Sequence, residues 1–252
     1  MNQTTDIKTK FVFPPSAITA LPILHHDLFF PVRRVLCVGQ NYADHAREMG
    51  ADPTREAPFF FGKPNEALLV ASTLDSTIAL AYPRNTELFH HEVELVIAIG
   101  KSGQDQSYDF SSPERASRHI LGYALALDMT RRDVQHQLKQ KSHPWEAAKA
   151  MEQSAPISPL LLAADLHTSV ETTELSLLKN GHTVQSASVS QLTWNCAELL
   201  HQASRYFDLQ AGDLIFTGTP AGVGSVERGD RLNARWSTTQ GTDLLSLRTH
   251  VI

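Results

Sequence analysis

Residues 90–100 contain the stretch that decides the fold, His90-His91-Glu92-Val93-Glu94-Leu95-Val96-Ile97-Ala98-Ile99-Gly100. A run of β-branched and long apolar residues that ends at a glycine predicts a β-strand, in which side chains alternate between the two faces. Glu92 and Glu94 therefore share a face. The pair fits either a solvated sheet face or a metal site, because carboxylates about 6–7 Å apart along a strand can converge on one hard cation if a third oxygen ligand joins them.

A candidate for that third ligand follows a second apolar strand. Residues 120–127 form the apolar run Ile-Leu-Gly-Tyr-Ala-Leu-Ala-Leu, and Asp128 interrupts it abruptly. A carboxylate that emerges at the end of a buried strand is well placed to be a ligand. The sequence thus offers Glu92, Glu94 and Asp128 as one possible set of metal ligands.

The composition is that of an ordinary globular chain. It has 252 residues, 42% hydrophobic and 19% charged, with a net charge of −5 and no block of like charge, so we expect neither a nucleic-acid nor a membrane partner. The first ten residues lack the apolar segment of a signal peptide, which favours a cytoplasmic location. Cys37 and Cys196 have no paired spacing, and we expect buried free thiols.

A third candidate group lies after the apolar strand at residues 35–39. Asn41 can cap a short helix that carries His45 and Glu48, and their spacing of three places both side chains on one helical face. A carboxylate beside an imidazole can orient it and raise its basicity. The alternative is an exposed pair without function. The turn-like residues that follow would let this helix act as a lid.

The segment after Asp128 predicts another helix. Thr130 and Asp133 have the spacing of a capping box, and Arg132 and Gln135 would then share a helical face, either to bind an anionic carbonyl compound or simply to face solvent. Lys149, further along the chain, has no role that its local sequence indicates.

The second half of the chain contains predicted scaffold and one glycine-rich loop. Asn180-Gly181 predicts a hairpin with a type I′ turn, and Asn195 with Glu198 predicts a capped helix. The loop at residues 217–224 follows a strand; Thr217 and Thr219 could donate hydrogen bonds to a small ligand there, or the loop could be a tight turn. We divide the chain into a lead-in segment, 1–33, and one catalytic domain, 34–252.

Several motifs, in the same order along residues 35–235, resemble the fumarylacetoacetate hydrolase family. They are Gly39-Gln40-Asn41-Tyr42-Ala43-Asp44-His45, Phe60-Phe61-Gly62-Lys63-Pro64, His90 to Leu95, Gly122-Tyr123 through Asp128 to Gln135, Pro144-Trp145 with Lys149, and Thr217-Gly218-Thr219-Pro220 with Gly222-Val223-Gly224. Gln40 stands where the family usually has arginine, and Ala150-Met151-Glu152 also departs from its pattern.

The resemblance implies a fold, a metal and a set of site residues. The fold would be α+β and β-rich, a mixed β-sheet roll with a short lid helix, assembled as a homodimer. Mg²⁺ or Mn²⁺ would be held by Glu92, Glu94 and Asp128. The catalytic residues would be His45, Glu48 and Lys149, and the substrate would contact Arg132, Gln135, Thr219 and Tyr42.

Three functions follow as hypotheses. The first is hydrolysis of a carbon–carbon bond in an acylpyruvate, with fumarylpyruvate the expected substrate, as in gentisate-type aromatic-acid catabolism. The second is decarboxylation of oxaloacetate or tautomerisation of a keto acid, which needs no attacking water. The third is a non-enzymatic β-rich binding protein whose acids are structural.

Overall fold

The computed structural model describes residues 11–44, 56–100 and 108–252. The predicted lid helix with His45 and Glu48 lies outside these residues. The elements given below belong to the described ranges.

The described chain is built mainly of short strands. They are β1 (Ala20–Pro22), β2 (Phe29–Pro31), β3 (Arg34–Gly39), β4 (Phe59–Lys63), β5 (Leu68–Val70), β6 (Thr77–Leu80), β7 (Phe89–His91), β8 (Val93–Ile99), β9 (Ile120–Leu127), β10 (Thr130–Arg131), β11 (Ala155–Ile157), β12 (Leu161–Leu162), β13 (Thr173–Lys179), β14 (His182–Ser188), β15 (Asp213–Phe216), β16 (Gly224–Val226), β17 (Arg231–Thr238) and β18 (Asp243–Val251). The α-helices are α1 (Pro113–Ala116), α2 (Arg132–Gln140), α3 (Glu146–Lys149) and α4 (Cys196–Ala203).

The largest sheet has the strand order β4-β3-β15-β8-β9-β11-β5, with β12 paired to β9. It mixes parallel pairs, such as β3 with β15, and antiparallel pairs, such as β8 with β9. β8 lies in the middle and is buried along its whole length, as expected for a strand covered on both faces.

The single strand predicted over residues 90–100 is interrupted at Glu92, which lies between β7 and β8, and these two strands belong to different sheets. Within β8 the predicted alternation is confirmed. Val93, Leu95, Ile97 and Ile99 pack into the main core, whereas Val96 and Ala98 pack into a second apolar cluster on the other face. Because the side chains of a strand alternate, the second face also carries Glu94 near the beginning of β8, and Glu92 immediately precedes the strand.

A second sheet packs on the first, with the order β14-β13-β17-β18-β6. Its β13–β14 hairpin turns at Asn180 (φ 52°) and Gly181 (φ 85°). Two positive φ angles are those of a type I′ turn, so this prediction is confirmed. The capping box at Asn195 and Glu198 is also confirmed, with both side-chain-to-backbone hydrogen bonds present.

The capping box predicted for α2 is wrong. The helix begins at Arg132 without a side-chain cap, and Thr130 lies in β10, where it pairs with His90 of β7. The carboxylate of Asp133 instead accepts hydrogen bonds from Thr86 Oγ1 at 2.5 Å and from the Glu87 N–H at 2.9 Å. A tertiary contact has taken the place of the local cap, and β10 holds Thr130 in extended backbone.

Residues 20–32 of the predicted lead-in segment pack on the main sheet, whereas residues 11–18 are exposed. β1 and β2 pair with each other, and Leu21, Phe30 and Val32 are buried in the second apolar cluster. The division of the chain at residue 33 stays a prediction.

The fold class is confirmed as α+β and strand-rich, with a curled mixed sheet and few short helices. Cys37 and Cys196 are buried free thiols, as expected. No helix among residues 11–44, 56–100 and 108–252 is long and apolar enough to cross a membrane.

Candidate functional site

The three acids predicted as metal ligands meet at one end of the β8–β9 pair. These strands are antiparallel with Val93 opposite Leu127, so the beginning of β8 lies beside the end of β9. The Asp128 N–H donates to the Glu92 carbonyl at 2.8 Å. Ligand oxygens of Glu92, Glu94 and Asp128 lie within 4.8 Å of one another, and all three residues are at most 5% exposed. The solvated-face alternative is therefore wrong.

Two cations from later in the chain neutralise part of this charge. Lys149 Nζ donates to Glu92 Oε2 at 2.9 Å and to Asp128 Oδ2 at 2.7 Å. Burial by itself would lower the pKa of Lys149, but the charges of Asp128 and Glu92 outweigh burial and raise it. The lysine is thus held as an ammonium ion between two carboxylates.

Arg132 is the second cation. Its guanidinium is buried and forms an ion pair with Glu92, and its Nη1 donates to Gln135 Oε1 at 2.5 Å. Arg132 Nε also donates to His90 Nδ1 at 3.3 Å. Burial and then the neighbouring Arg132 lower the pKa of His90 to about 4, so the imidazole is neutral and can accept this bond. The predicted shared face of Arg132 and Gln135 is confirmed, and it points to the site rather than to solvent.

Glu94 carries the charge that is compensated least. Its Oε2 accepts a hydrogen bond from the Gly218 N–H at 2.8 Å, and no ion pair to Glu94 exists within the described ranges. Burial, followed by the negative charges of Asp128 and Glu92, raises the pKa of Glu94 well above its ordinary value. This carboxylate is costly where it stands unless a cation binds beside it.

The donor set fits a hard divalent cation. Asp128 Oδ1 is buried and accepts no hydrogen bond from any described residue, although Lys63 Nζ lies 2.8 Å away in an ion pair. Three carboxylates that converge, with one oxygen left without a hydrogen bond, match the all-oxygen ligands that Mg²⁺ and Mn²⁺ prefer. Glu92, Glu94 and Asp128 could hold such an ion.

Lys63 is a site residue that the sequence pattern did not reveal. It ends β4, is 4% exposed, and its Nζ donates to Ser154 Oγ at 2.9 Å and to the Lys149 carbonyl. It therefore joins Asp128 to the backbone beside Lys149. The motif Phe60-Phe61-Gly62-Lys63-Pro64 contains it, but a lysine at the end of an aromatic strand cannot by itself be told from a solvated lysine.

Gln185 is the second such residue, and it comes from the hairpin expected to be scaffold. Its Oε1 accepts from the Val93 N–H at 3.0 Å, between the two glutamates, and lies 3.0 Å from His91 Nδ1. Its Nε2 donates to Thr219 Oγ1 at 2.8 Å and to the Pro220 carbonyl at 2.9 Å. One buried amide thus fixes the glycine-rich loop to the strand of the acids.

The glycine-rich loop approaches the site closely. Gly218 has φ +96°, and a Cβ there would come within 2.9 Å of the Asn41 side chain, so glycine is required for the backbone to donate to Glu94. Of the two threonines proposed as donors, Thr219 lines the pocket. The Thr217 hydroxyl instead donates to the Leu95 carbonyl at 2.9 Å and serves the scaffold.

The acids form the floor of a pocket with an aromatic wall. The ring centroids of Phe59 and Phe61 lie 5.4 and 5.8 Å from the Trp145 ring centroid. Lys149 Nζ lies 5.3 Å from the Phe61 ring centroid. The predicted site residues among the lining are Glu92, Glu94, Asp128, Arg132, Gln135, Lys149 and Thr219, and the others include Gln40, His136 and Lys139. The pocket therefore combines charged groups at its floor with an apolar side.

Of the predicted site residues that the structure describes, Tyr42 is not in this lining. Tyr42 is 2% exposed and faces a neighbouring cavity beside Pro220 and Ala221. Burial raises the pKa of its phenol far above the ordinary value. His45 and Glu48 lie outside the described residues, so their roles stay predictions.

Known proteins resemble the chain over most of its length. Residues 34–252 match the family model described as fumarylacetoacetate (FAA) hydrolase, C-terminal. The chain belongs to the fumarylacetoacetate hydrolase family. The crystal structure of fumarylpyruvate hydrolase from Pseudomonas aeruginosa in complex with Mn²⁺ and pyruvate is similar at a TM-score of 0.87 and 45% identity, covering 96% of this chain and 100% of that one.

Curated relatives include more than one activity. The chain is 39% identical to an oxaloacetate tautomerase of Escherichia coli over 213 residues, which is 82% of this chain and 92% of the relative. It is 40% identical to a fumarylpyruvate hydrolase of Ralstonia over 184 residues, which is 73% of this chain and 90% of that protein. The chain is thus an enzyme of a hydrolase and tautomerase family, and the non-enzymatic alternative is wrong.

Proposed function

We propose that the protein hydrolyses the carbon–carbon bond of an acylpyruvate, and that fumarylpyruvate, cleaved to fumarate and pyruvate, is its substrate. The observation that carries the proposal is the buried cluster of Glu92, Glu94 and Asp128, which shares one pocket with Lys149 and Arg132. The Pseudomonas aeruginosa relative, which holds Mn²⁺ and pyruvate, supports it at 45% identity.

Glu92, Glu94 and Asp128 would hold the Mg²⁺ or Mn²⁺ ion, which when bound supplies a Lewis acid beside the oxygens of the pyruvoyl group. Arg132 and Gln135, side by side on α2, bind and orient the substrate carboxylate. Thr219, positioned by Gln185, donates a further hydrogen bond. Two fixed donors and a hydroxyl restrict the pyruvoyl end to one orientation, which lowers the entropic cost of reaction.

The hydrolytic step requires a base, for which we propose His45, oriented by Glu48. The imidazole takes a proton from water, and the water oxygen adds to the acyl carbonyl carbon. The bond between that carbon and the pyruvoyl methylene breaks. Its electron pair remains on the departing pyruvate, whose methylene carbon takes the proton back from the imidazolium, while the acyl group leaves as a carboxylic acid that ionises to the carboxylate. The Lys149 ammonium stabilises the negative charge that develops on pyruvate.

A second candidate function is tautomerisation of oxaloacetate or a related keto acid, or its decarboxylation. The similarity to the Escherichia coli oxaloacetate tautomerase favours it, and the same acids and Lys149 would serve it. These reactions need no attacking water. The distinction therefore rests on His45 and Glu48.

The test is a panel of fumarylpyruvate, acetylpyruvate and oxaloacetate, with Mn²⁺ or with EDTA, in which loss of enol absorbance and release of pyruvate are both measured. We expect pyruvate release from fumarylpyruvate that EDTA abolishes. His45→Ala should abolish hydrolysis but leave Mn²⁺ binding intact. Enolisation of oxaloacetate without pyruvate release from either acylpyruvate would favour the second function.

We further propose that the enzyme acts as a homodimer in the cytoplasm, within aromatic-acid catabolism. Light scattering on the purified chain tests the dimer. Growth on gentisate of a strain that lacks the gene tests the pathway.

A further inference from the structure

Fumarylpyruvate carries a second carboxylate at the far end of its acyl group, and a site that selects it needs a cation there. Several basic residues are already engaged. Arg33 and Arg34 form ion pairs with Asp213. Lys63 forms an ion pair with Asp128, whose other carboxylate oxygen is bonded to Lys149. To bind a distal carboxylate, these cations would have to give up ion pairs that they already form, of which the one between Lys63 and Asp128 is fully buried.

Helix α2 presents a basic side chain without such a partner. Arg132, Gln135, His136 and Lys139 line the pocket and are spaced at i, i+3, i+4 and i+7, so they share one helical face. Within the part of the chain that the structure describes, no side-chain hydrogen bond or ion pair engages the Lys139 ammonium. Lys139 is exposed, whereas Arg132 is buried.

The helix therefore runs from the floor of the pocket to its mouth. At about 1.5 Å of rise per residue, the seven steps from Arg132 to Lys139 span about 10 Å, which suits an extended acylpyruvate diacid. The aromatic wall of Phe59 and Trp145 lines the same pocket and offers an apolar surface to the unsaturated acyl segment.

We propose that Lys139 binds the distal carboxylate of a dianionic acylpyruvate and so selects acyl groups that end in a carboxylate over neutral ones. The proposal rests on the proposed function for the identity of the substrate. Lys139 is exposed and has no acidic partner among the described residues. A carboxylate at the pocket mouth can therefore form an ion pair with it without the desolvation cost of a deeply buried pair.

The test compares Lys139→Met with the wild type on fumarylpyruvate and acetylpyruvate, whose acyl group ends in a methyl. Loss of one partly solvated charge pair should raise the KM for fumarylpyruvate about fivefold. The KM for acetylpyruvate should change by much less. Lys139→Arg, which keeps the charge, should retain most of the preference for fumarylpyruvate.

Lys141→Met is the matched control, because Lys141 is an exposed lysine that caps the same helix and does not line the pocket. It should leave both KM values as in the wild type. Equal changes on both substrates in Lys139→Met, or no change on either, would overturn the proposal.

A binding experiment separates this proposal from the proposed function. Calorimetric titration with fumarate and with crotonate, which has a methyl in place of one carboxylate, is done with Mn²⁺ and saturating pyruvate. We expect fumarate to bind the wild type more tightly and Lys139→Met to lose that difference. If the wild type hydrolyses neither acylpyruvate but keeps the difference, the dicarboxylate site stands and the hydrolytic function does not. If Lys139→Met binds fumarate as the wild type does, the site is wrong.

Discussion

The two ends of the parallel β3–β15 pair both carry buried charge, but they are arranged differently. At the beginning of the pair, Asp213 binds Arg33 at 2.7 Å and Arg34 at 2.8 Å, so each carboxylate oxygen has a cation. At the other end, β15 runs into Thr217-Gly218-Thr219, and the Gly218 N–H reaches Glu94 of the acidic cluster.

The difference lies in which carboxylates have a paired cation. Both oxygens of the Asp213 carboxylate are paired with an arginine, so neither is left for a ligand cation. The acidic cluster has three carboxylates within 4.8 Å, and its three cations, Lys63, Arg132 and Lys149, all pair with Glu92 or Asp128, so that Glu94 has no ion pair in the described part of the chain. A buried carboxylate that is paired with cations of its own chain has a structural role. A buried carboxylate without such a partner indicates a binding site for a cation.

Glu94→Gln should have the largest effect on activity. It removes one of three anionic ligands, so we expect loss of Mn²⁺ binding and a fall in kcat/KM of about three orders of magnitude. Turnover of fumarylpyruvate and Mn²⁺ titration measure the two effects. Glu174→Gln, at an exposed position of β13, is the control and should change neither. Retained Mn²⁺ affinity in Glu94→Gln would contradict the ligand assignment.

Gln185→Ala tests whether the acidic cluster depends on the uncharged hydrogen bonds that Gln185 forms beside it. The change leaves the Val93 N–H and the Pro220 carbonyl without their buried partner, which should lower the free energy of unfolding by about 3 kcal/mol. Urea unfolding measures this. The KM for the acylpyruvate should also rise, because Thr219 loses the bond that positions it.

Gln240→Ala, at an exposed position, serves as the control for that experiment. An unchanged KM in Gln185→Ala, despite lower stability, would limit Gln185 to a structural role.

Asp213→Asn should affect stability but not chemistry. It leaves two arginines without their acid; because both arginines are partly exposed, we expect a loss of about 2 kcal/mol, less than for a fully buried pair. Below the melting transition, kcat should stay as in the wild type. Asp243→Asn, at an exposed residue, is the control in thermal unfolding. A large fall in kcat would mean that the two ends are coupled through the strands.

The smallest effect, and the one of opposite sign, is that of Glu94→Gln on the metal-free protein. Removing one of three like charges that lie close together should raise stability by about 1 kcal/mol, or about 2–4 °C in Tm for a chain of this size. Differential scanning calorimetry in EDTA checks it. A lower Tm would show that the acids are already balanced without a metal.

Much of the fold and of the acidic cluster was predictable because its determinants are local. The spacing of two places Glu92 and Glu94 on one side of extended backbone whatever surrounds them, and the spacing of Arg132 and Gln135 does the same on α2. The abrupt charge after an apolar run identified Asp128. The Asn180-Gly181 turn was predictable because its backbone angles require those residue types.

Other features could not be predicted because they depend on partners distant in the chain. Lys63 is 86 residues before Lys149, and the register of β3 with β4 and the position of α3 decide that it reaches Asp128. Gln185 joins the two sheets across 92 residues, and no local pattern marks it. The capping box at Thr130 failed for the same reason, since pairing with β7 outweighed the local preference.

The sequence by itself therefore determined which acids share a face, which residues share a helical side and that the chain is strand-rich. These follow from the fixed periods of strand and helix. Only the tertiary structure decided which cations neutralise which acids, and so which charges remain for a ligand. The strength of an ion pair depends on distance and burial, and both are set by the order and register of strands that lie far apart in the chain.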